Sequence, residues 1–196
     1  MLINGRRPVL LQSIASAVAA LAWWVTPATA HERQLLQIGA TDYLFVVGFL
    51  HEPVYTGDRS GMDLRIVLPD QANPLDARAP GVKAVEHLDK TIKLEVKAGP
   101  HTRMFDLKPT YGAPGRYEAV FYPTVATTYN IRLFGTINNV PVDLPFACNP
   151  LGHVSVEDNS TVKLSDQVTR KALIGSFGCP SARTDVEFPP ASRLLH

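Results

Sequence analysis

Period-two alternation dominates the chain. Thr91-Ile92-Lys93-Leu94-Glu95-Val96-Lys97 puts Ile92, Leu94 and Val96 on one side and charged residues on the other. That pattern predicts a strand with one face in the core and one in water. Met62, Leu64, Ile66 and Leu68 alternate with Asp63 and Arg65 in the same way. Residues 43–50 (Tyr43-Leu44-Phe45-Val46-Val47-Gly48-Phe49-Leu50) are apolar at both parities. This predicts a central strand, or one covered by another segment. Residues 116–122 and 128–134, rich in aromatic and β-branched side chains, predict two more strands.

Turn residues punctuate these runs. Ile137-Asn138-Asn139-Val140 predicts a tight hairpin, because asparagine tolerates the positive φ that such turns need. Val140, Val142, Leu144 and Phe146 then form an inward face, with Pro141 and Pro145 at the opposite parity. Prolines there predict an edge strand, where a missing N–H is tolerated. Ala98-Gly99-Pro100-His101 predicts the hairpin that joins 91–97 to 102–107. The proline-rich stretch after Leu68 predicts a long crossing loop up to Thr91. Residues 162–174 read equally as one short helix or two short strands, and 180–196 as an extended tail.

Short strands with regular turns, and no strong amphipathic helix, predict an all-β fold. The expected architecture is an immunoglobulin-like sandwich with a disulfide-pinned C-terminal extension. Its expected divisions are a signal peptide over 1–30, the sandwich over 31–147, and the extension and tail over 148–196.

The first thirty residues change the picture from fold to location. Arg6 and Arg7 precede an apolar run over 9–25, and Pro27 is followed by Ala28-Thr29-Ala30. This is the grammar of a cleaved export signal, with small side chains at the peptidase site. Cleavage leaves His31 as the first residue, and a periplasmic or secreted protein. Without Arg6 and Arg7, 17 Lys and Arg stand against 18 Asp and Glu. So balanced a charge offers no basic stripe for nucleic acid. No later apolar run is long enough to give a stable membrane span after cleavage. The two cysteines, Cys148 and Cys179, have no C-x-x-C spacing. In an exported chain they predict one disulfide.

The run Gly115-Arg116-Tyr117-Glu118-Ala119-Val120-Phe121-Tyr122-Pro123, then Thr128-Tyr129-Asn130-Ile131-Arg132-Leu133-Phe134-Gly135, resembles the last strands of small exported immunoglobulin-like domains. The resemblance is to the YtkA-like and CopC-like groups of bacteria, including uncharacterised secreted proteins. Val47-Gly48-Phe49-Leu50-His51-Glu52-Pro53-Val54-Tyr55 also resembles an early strand and turn of such proteins. The CopC-like resemblance implies Cu(II) held by the N-terminal histidine that signal cleavage exposes, here His31, with a second histidine from a later strand. The Asp-x-His that family carries near the end of its sandwich is absent, and His153 lies in Leu151-Gly152-His153.

On its own chemistry, a histidine at a free N-terminus carries two donors, the amine and Nδ1. A second imidazole completes a three-nitrogen site suited to Cu(II). The candidate metal residues are His31, His51 and His153, with His51 ranked before His153 as the partner. His101, at a hairpin tip, is expected to be solvated. No nucleophile elbow, phosphate loop or dinucleotide fingerprint is present in the sequence. Asp58, Asp63 and Asp70 do not match an EF-hand loop. Tyr117, Phe121, Tyr129 and Phe134 are expected mostly in the core rather than on a sugar platform.

The expected function is a non-enzymatic binding protein of the cell envelope, whose partner is an envelope protein, a small ligand or a metal ion. Copper is the most concrete ligand. The alternatives are a structural or adhesive module without metal, and a copper enzyme resembling a polysaccharide monooxygenase.

Overall fold

The structure, a computed structural model, describes residues 30–183. The expected export signal, apart from Ala30, and the end of the expected tail lie outside the described residues. The fold is an all-β sandwich of two packed antiparallel sheets, with a disulfide near its C-terminal end. Strands β1 (Glu32–Ile38), β2 (Thr41–Phe49) and β3 (Ser60–Leu68) form a meander, and the two-residue β4 (Lys83–Ala84) pairs with β3. The hairpin of β5 (Ile92–Ala98) and β6 (His101–Asp106) lies in the other sheet. The chain returns through β7 (Lys108–Pro109) to β8 (Arg116–Phe121), which pairs with β3. It then crosses to β9 (Tyr129–Ile137) and β10 (Val140–Ala147), which complete the order β10-β9-β5-β6.

Inward-facing residues interleave as the alternation predicts. Ile92, Leu94 and Val96 of β5 meet Met62, Leu64 and Ile66 of β3 in one core, which also takes Tyr43, Phe45 and Tyr117. The apolar outer parity of β2 has a cover. Leu44 joins Val67 and Ala77 in a second cluster, with Leu75 and Val82 from the crossing loop packed on it. The Tyr117 hydroxyl pins the far end of that loop, accepting from the Leu88 N–H at 3.1 Å and donating to the Val85 carbonyl at 2.7 Å. Tyr117 and Tyr129 are buried core residues, as expected, and Phe121 packs against the core.

Asn138 and Asn139 both take positive φ (48° and 63°) between paired Ile137 and Val140. Since Ile137 and Val140 close that two-residue turn as a hydrogen-bonded pair, positions 141 and 145 point their nitrogens away from β9. Pro141 and Pro145 therefore remove donors from an edge open to strand addition.

Beyond Cys148 the ambiguous stretch is strand. β13 (Val168–Ile174) pairs with β1 along its length, and β11 (Glu157–Asp158) and β12 (Val162–Lys163) both pair with its other edge. Val168 and Phe177 enter the main core, so this segment is built into the sandwich. Cys148 and Cys179 are disulfide-bonded as expected. Among the described residues no helix is long and apolar enough to cross a membrane.

Candidate functional site

Strand register assembles the site on the outer face of the larger sheet. Glu32 pairs with Val47, so His31, just before β1, comes level with Gly48. Gly48 pairs with Asp63, and Asp63 with Glu118. A transverse row thus runs from His31 over β2 to β3 and β8. Gly48 makes the row continuous. A Cβ there would stand 2.6 Å from His31 Cδ2 and 2.9 Å from its Nε2. The imidazole lies over the backbone at the one place in β2 where no side chain blocks it.

Across that gap, His31 Nε2 meets Asp63 Oδ2 at 3.1 Å. Arg116 holds the same carboxylate through two bonds, Nε to Oδ1 and Nη2 to Oδ2, both 2.7 Å. Burial alone would raise the Asp63 carboxyl. The hydrogen bonds and charges of His31 and Arg116 outweigh it and hold the group below its usual range. Asp63 is therefore an ionised acceptor, and the nitrogen facing it must carry the proton. This fixes His31 as the Nε2–H tautomer whenever it is neutral, with its lone pair on Nδ1. Nδ1 is the ring nitrogen closer to the backbone amine in a histidine.

Glu52 and His153 border this row. Glu52 turns inward and accepts from the Phe49 N–H at 3.1 Å. Burial pushes its carboxyl up, partly opposed by His31 and His153, while Asp63 adds to the rise. His153 Nδ1 donates to the Ser176 carbonyl at 2.7 Å. A carbonyl only accepts, so the lone pair of a neutral His153 is left on Nε2. The Ser176 hydroxyl fixes the same loop by accepting from the Val154 N–H at 2.8 Å. A Cβ on Gly175 would stand 3.2 Å from the His31 carbonyl oxygen and 3.7 Å from His153 Cε1. The backbone of His31 and the ring of His153 therefore flank the same glycine.

His51 is placed differently. It is exposed in the turn after β2, while its neighbour Glu52 points in. His101 is exposed at the start of β6. The structure thus brings His31 and His153 to one region, with Glu52 beside them. Among the described residues, no group of three or more His, Cys, Asp or Glu side chains is arranged to hold a metal ion.

Asp63, Arg116, Gly48 and Glu52 escaped the sequence reading as site residues. A glycine inside an apolar strand is itself a signal of close approach. Asp63 and Arg116 carry no comparable signal, since each looks like an ordinary outward polar residue. The chain matches no known family model, no curated protein and no solved structure.

Proposed function

We propose that the chain is an exported, non-enzymatic binding protein of the cell envelope that holds Cu(II) at His31 after cleavage behind Ala30. The observation that carries this reading is the docking of the His31 ring over Gly48 onto Asp63. A solvated terminal histidine needs no such seat. A metal-binding imidazole commonly has its other nitrogen held by a carboxylate, which sets the tautomer and raises the basicity of the free nitrogen. Asp63, itself clamped by Arg116, stands in that place.

His31 would supply the amine and Nδ1, and His153 Nε2 is the third nitrogen. His153 takes precedence over His51 because its tautomer is set by Ser176 and because it shares the border of Gly175 with His31. Neutral nitrogen donors of this kind suit Cu(II). The YtkA-like and CopC-like resemblance supports the same reading, as does the disulfide, which belongs to oxidising compartments.

Titration of Cu(II) into protein beginning at His31 tests the reading. Sub-micromolar binding that His31→Ala abolishes supports it, and equal binding by His31→Ala overturns it. Among the described residues no three side chains form a donor cluster, and a second reading takes the same surface as a metal-free contact face for an envelope protein. The titration separates the two, because the second predicts no specific copper site.

A further inference from the structure

The smaller sheet ends unequally. Its β10 edge carries Pro141 and Pro145, whereas its other edge is β6, which pairs with β5 alone and holds no proline. The larger sheet ends in the two-residue strands β11 and β7, and β7 includes Pro109. Among the described residues β6 is thus the longest strand left at a sheet edge without a proline. Such an edge is a template for another strand, and folded chains usually blunt it.

Strand register sets which groups face outward from that edge. Ala98 and His101 pair across the two-residue turn Gly99-Pro100, so they exchange both hydrogen bonds. The pairs at Arg103 and Phe105 repeat this arrangement. The N–H and C=O groups of Thr102, Met104 and Asp106 therefore point away from β5. Among the described residues these groups have no other backbone partner. Met104, in the middle of the strand, is 52 % exposed.

We infer that β6 pairs antiparallel with β6 of a second copy about a two-fold axis through Met104, joining the two four-stranded sheets into one. A two-fold contact needs a surface that complements itself. Outward groups can meet outward groups in registers centred on Arg103, Met104 or Phe105. The first sets Arg103 directly against Arg103, an unfavourable like-charge pair. The third leaves Thr102 without a partner in the strand. The register centred on Met104 pairs Thr102 with Asp106, Met104 with Met104 and Asp106 with Thr102, and each pair exchanges two backbone bonds. It covers the exposed Met104 with its own copy. It also sets Arg103 opposite Phe105 of the second copy, a cation beside an aromatic ring. Asp106, which already accepts from Lys93 at 2.5 Å, meets a threonine and not a second carboxylate. Arg103, on the inward side of β6, thus selects the register. The pairing is small beside a standard interface of about 1,600 Å², so the dimer is weak, with Kd on the order of 10–100 µM. It does not depend on copper, because β6 lies in the sheet opposite the one that follows His31.

Sedimentation equilibrium of the purified protein from about 1 to 500 µM tests it, and a monomer–dimer equilibrium is expected in that range. Met104→Pro removes an outward N–H and leaves the β5 ladder whole, as Pro141 and Pro145 do in β10, and raises Kd at least tenfold. Met104→Lys sets like charges on the two-fold axis and leaves an exposed side chain exposed in the monomer. It raises Kd by as much and serves if Met104→Pro fails to fold. Cross-linking reads the register. Cys148 and Cys179 are bonded to each other, so an added thiol meets no free native cysteine. Under mild oxidation Met104→Cys forms a disulfide dimer at least tenfold faster than Thr102→Cys, because Cα atoms opposite each other in such a pair are about 5.5 Å apart, within disulfide reach. A monomer throughout the range overturns the inference and leaves the edge to a strand of another protein. A dimer unaffected by both Met104 substitutions, or equal cross-linking of the two thiols, overturns it as well.

Discussion

Replacing Asp63 by asparagine removes one charge and almost no volume from the row that seats His31. Asp63 is 12 % exposed and accepts three bonds, one from His31 and two from Arg116. A hydrogen bond to a charged group is worth about 1.5–3 kcal/mol. Simple addition overstates the total, since the His31 and Arg116 side chains are 26 % and 42 % exposed and water screens them. Asparagine also keeps one acceptor oxygen. We expect a net loss of about 2–3 kcal/mol at neutral pH, or about 5–10 °C in Tm for a domain of this size.

The pH dependence gives this prediction its sharper edge. Asp63 is held below its ordinary value, so its folded form favours the carboxylate. Its contribution is full above the unfolded value of about 3.9 and is lost as pH falls through the lower folded value. The difference in stability between the native protein and Asp63→Asn therefore stays constant from pH 7 to about 5 and shrinks below about 4. Urea unfolding at pH 7, 5 and 3 measures it. A deficit under about 0.5 kcal/mol at pH 7, or one equally large at pH 3, refutes the reasoning, because the carboxylate would then contribute nothing as a charge.

Other perturbations probe neighbouring parts. Gly48→Ala places a methyl where His31 Cδ2 lies 2.6 Å away, which forces the ring off Asp63. Because alanine in a strand recovers about 0.5–1 kcal/mol of backbone entropy, stability changes little, while the Nε2–H tautomer signature of His31 disappears from long-range 15N–1H spectra. Glu52→Gln keeps the acceptor for Phe49 N–H and removes a carboxyl that burial pushes up. A raised acid stabilises below its unfolded value and loses that contribution as pH rises through the folded one. The variant is thus more resistant to urea than the native protein at pH 8, and the advantage vanishes near pH 4. Replacing Cys148 and Cys179 together by alanine opens a closure with a sequence separation of 31. This costs about 3–4 kcal/mol in thermal or urea unfolding.

The fold was legible where the chemistry is local. The alternation of Ile92, Leu94 and Val96 is itself the statement of which face is buried. The Asn138-Asn139 pair carries its own turn geometry. The double apolar parity of β2 announced a cover, although not that Leu75 and Ala77 would supply part of it. Residues 162–174 were ambiguous because a strand's partner, here β1, lies far away in sequence and decides the outcome. The site was less legible for the same reason. His31 stood out by its place in the chain, but its seat needs Gly48, Asp63 and Arg116 from three other strands in one register. Ranking His51 before His153 followed sequence proximity to a strand end. The turn exposes His51 and sends Glu52 inward, while the strand that returns to β1 brings His153 to Gly175.

The central claim is that His31 acts through its amine together with its seated ring. Two proteins that differ by one residue test it most directly, one beginning at His31 and one beginning at Ala30. In the second, the His31 nitrogen is a peptide nitrogen, and the released amine sits one residue too far to close the same chelate. Competition titration with Cu(II) should show the His31 form binding at least a hundredfold more tightly, with nitrogen coupling from the amine and imidazole in its electron paramagnetic resonance spectrum. Equal affinity and identical spectra for the two proteins would contradict the account.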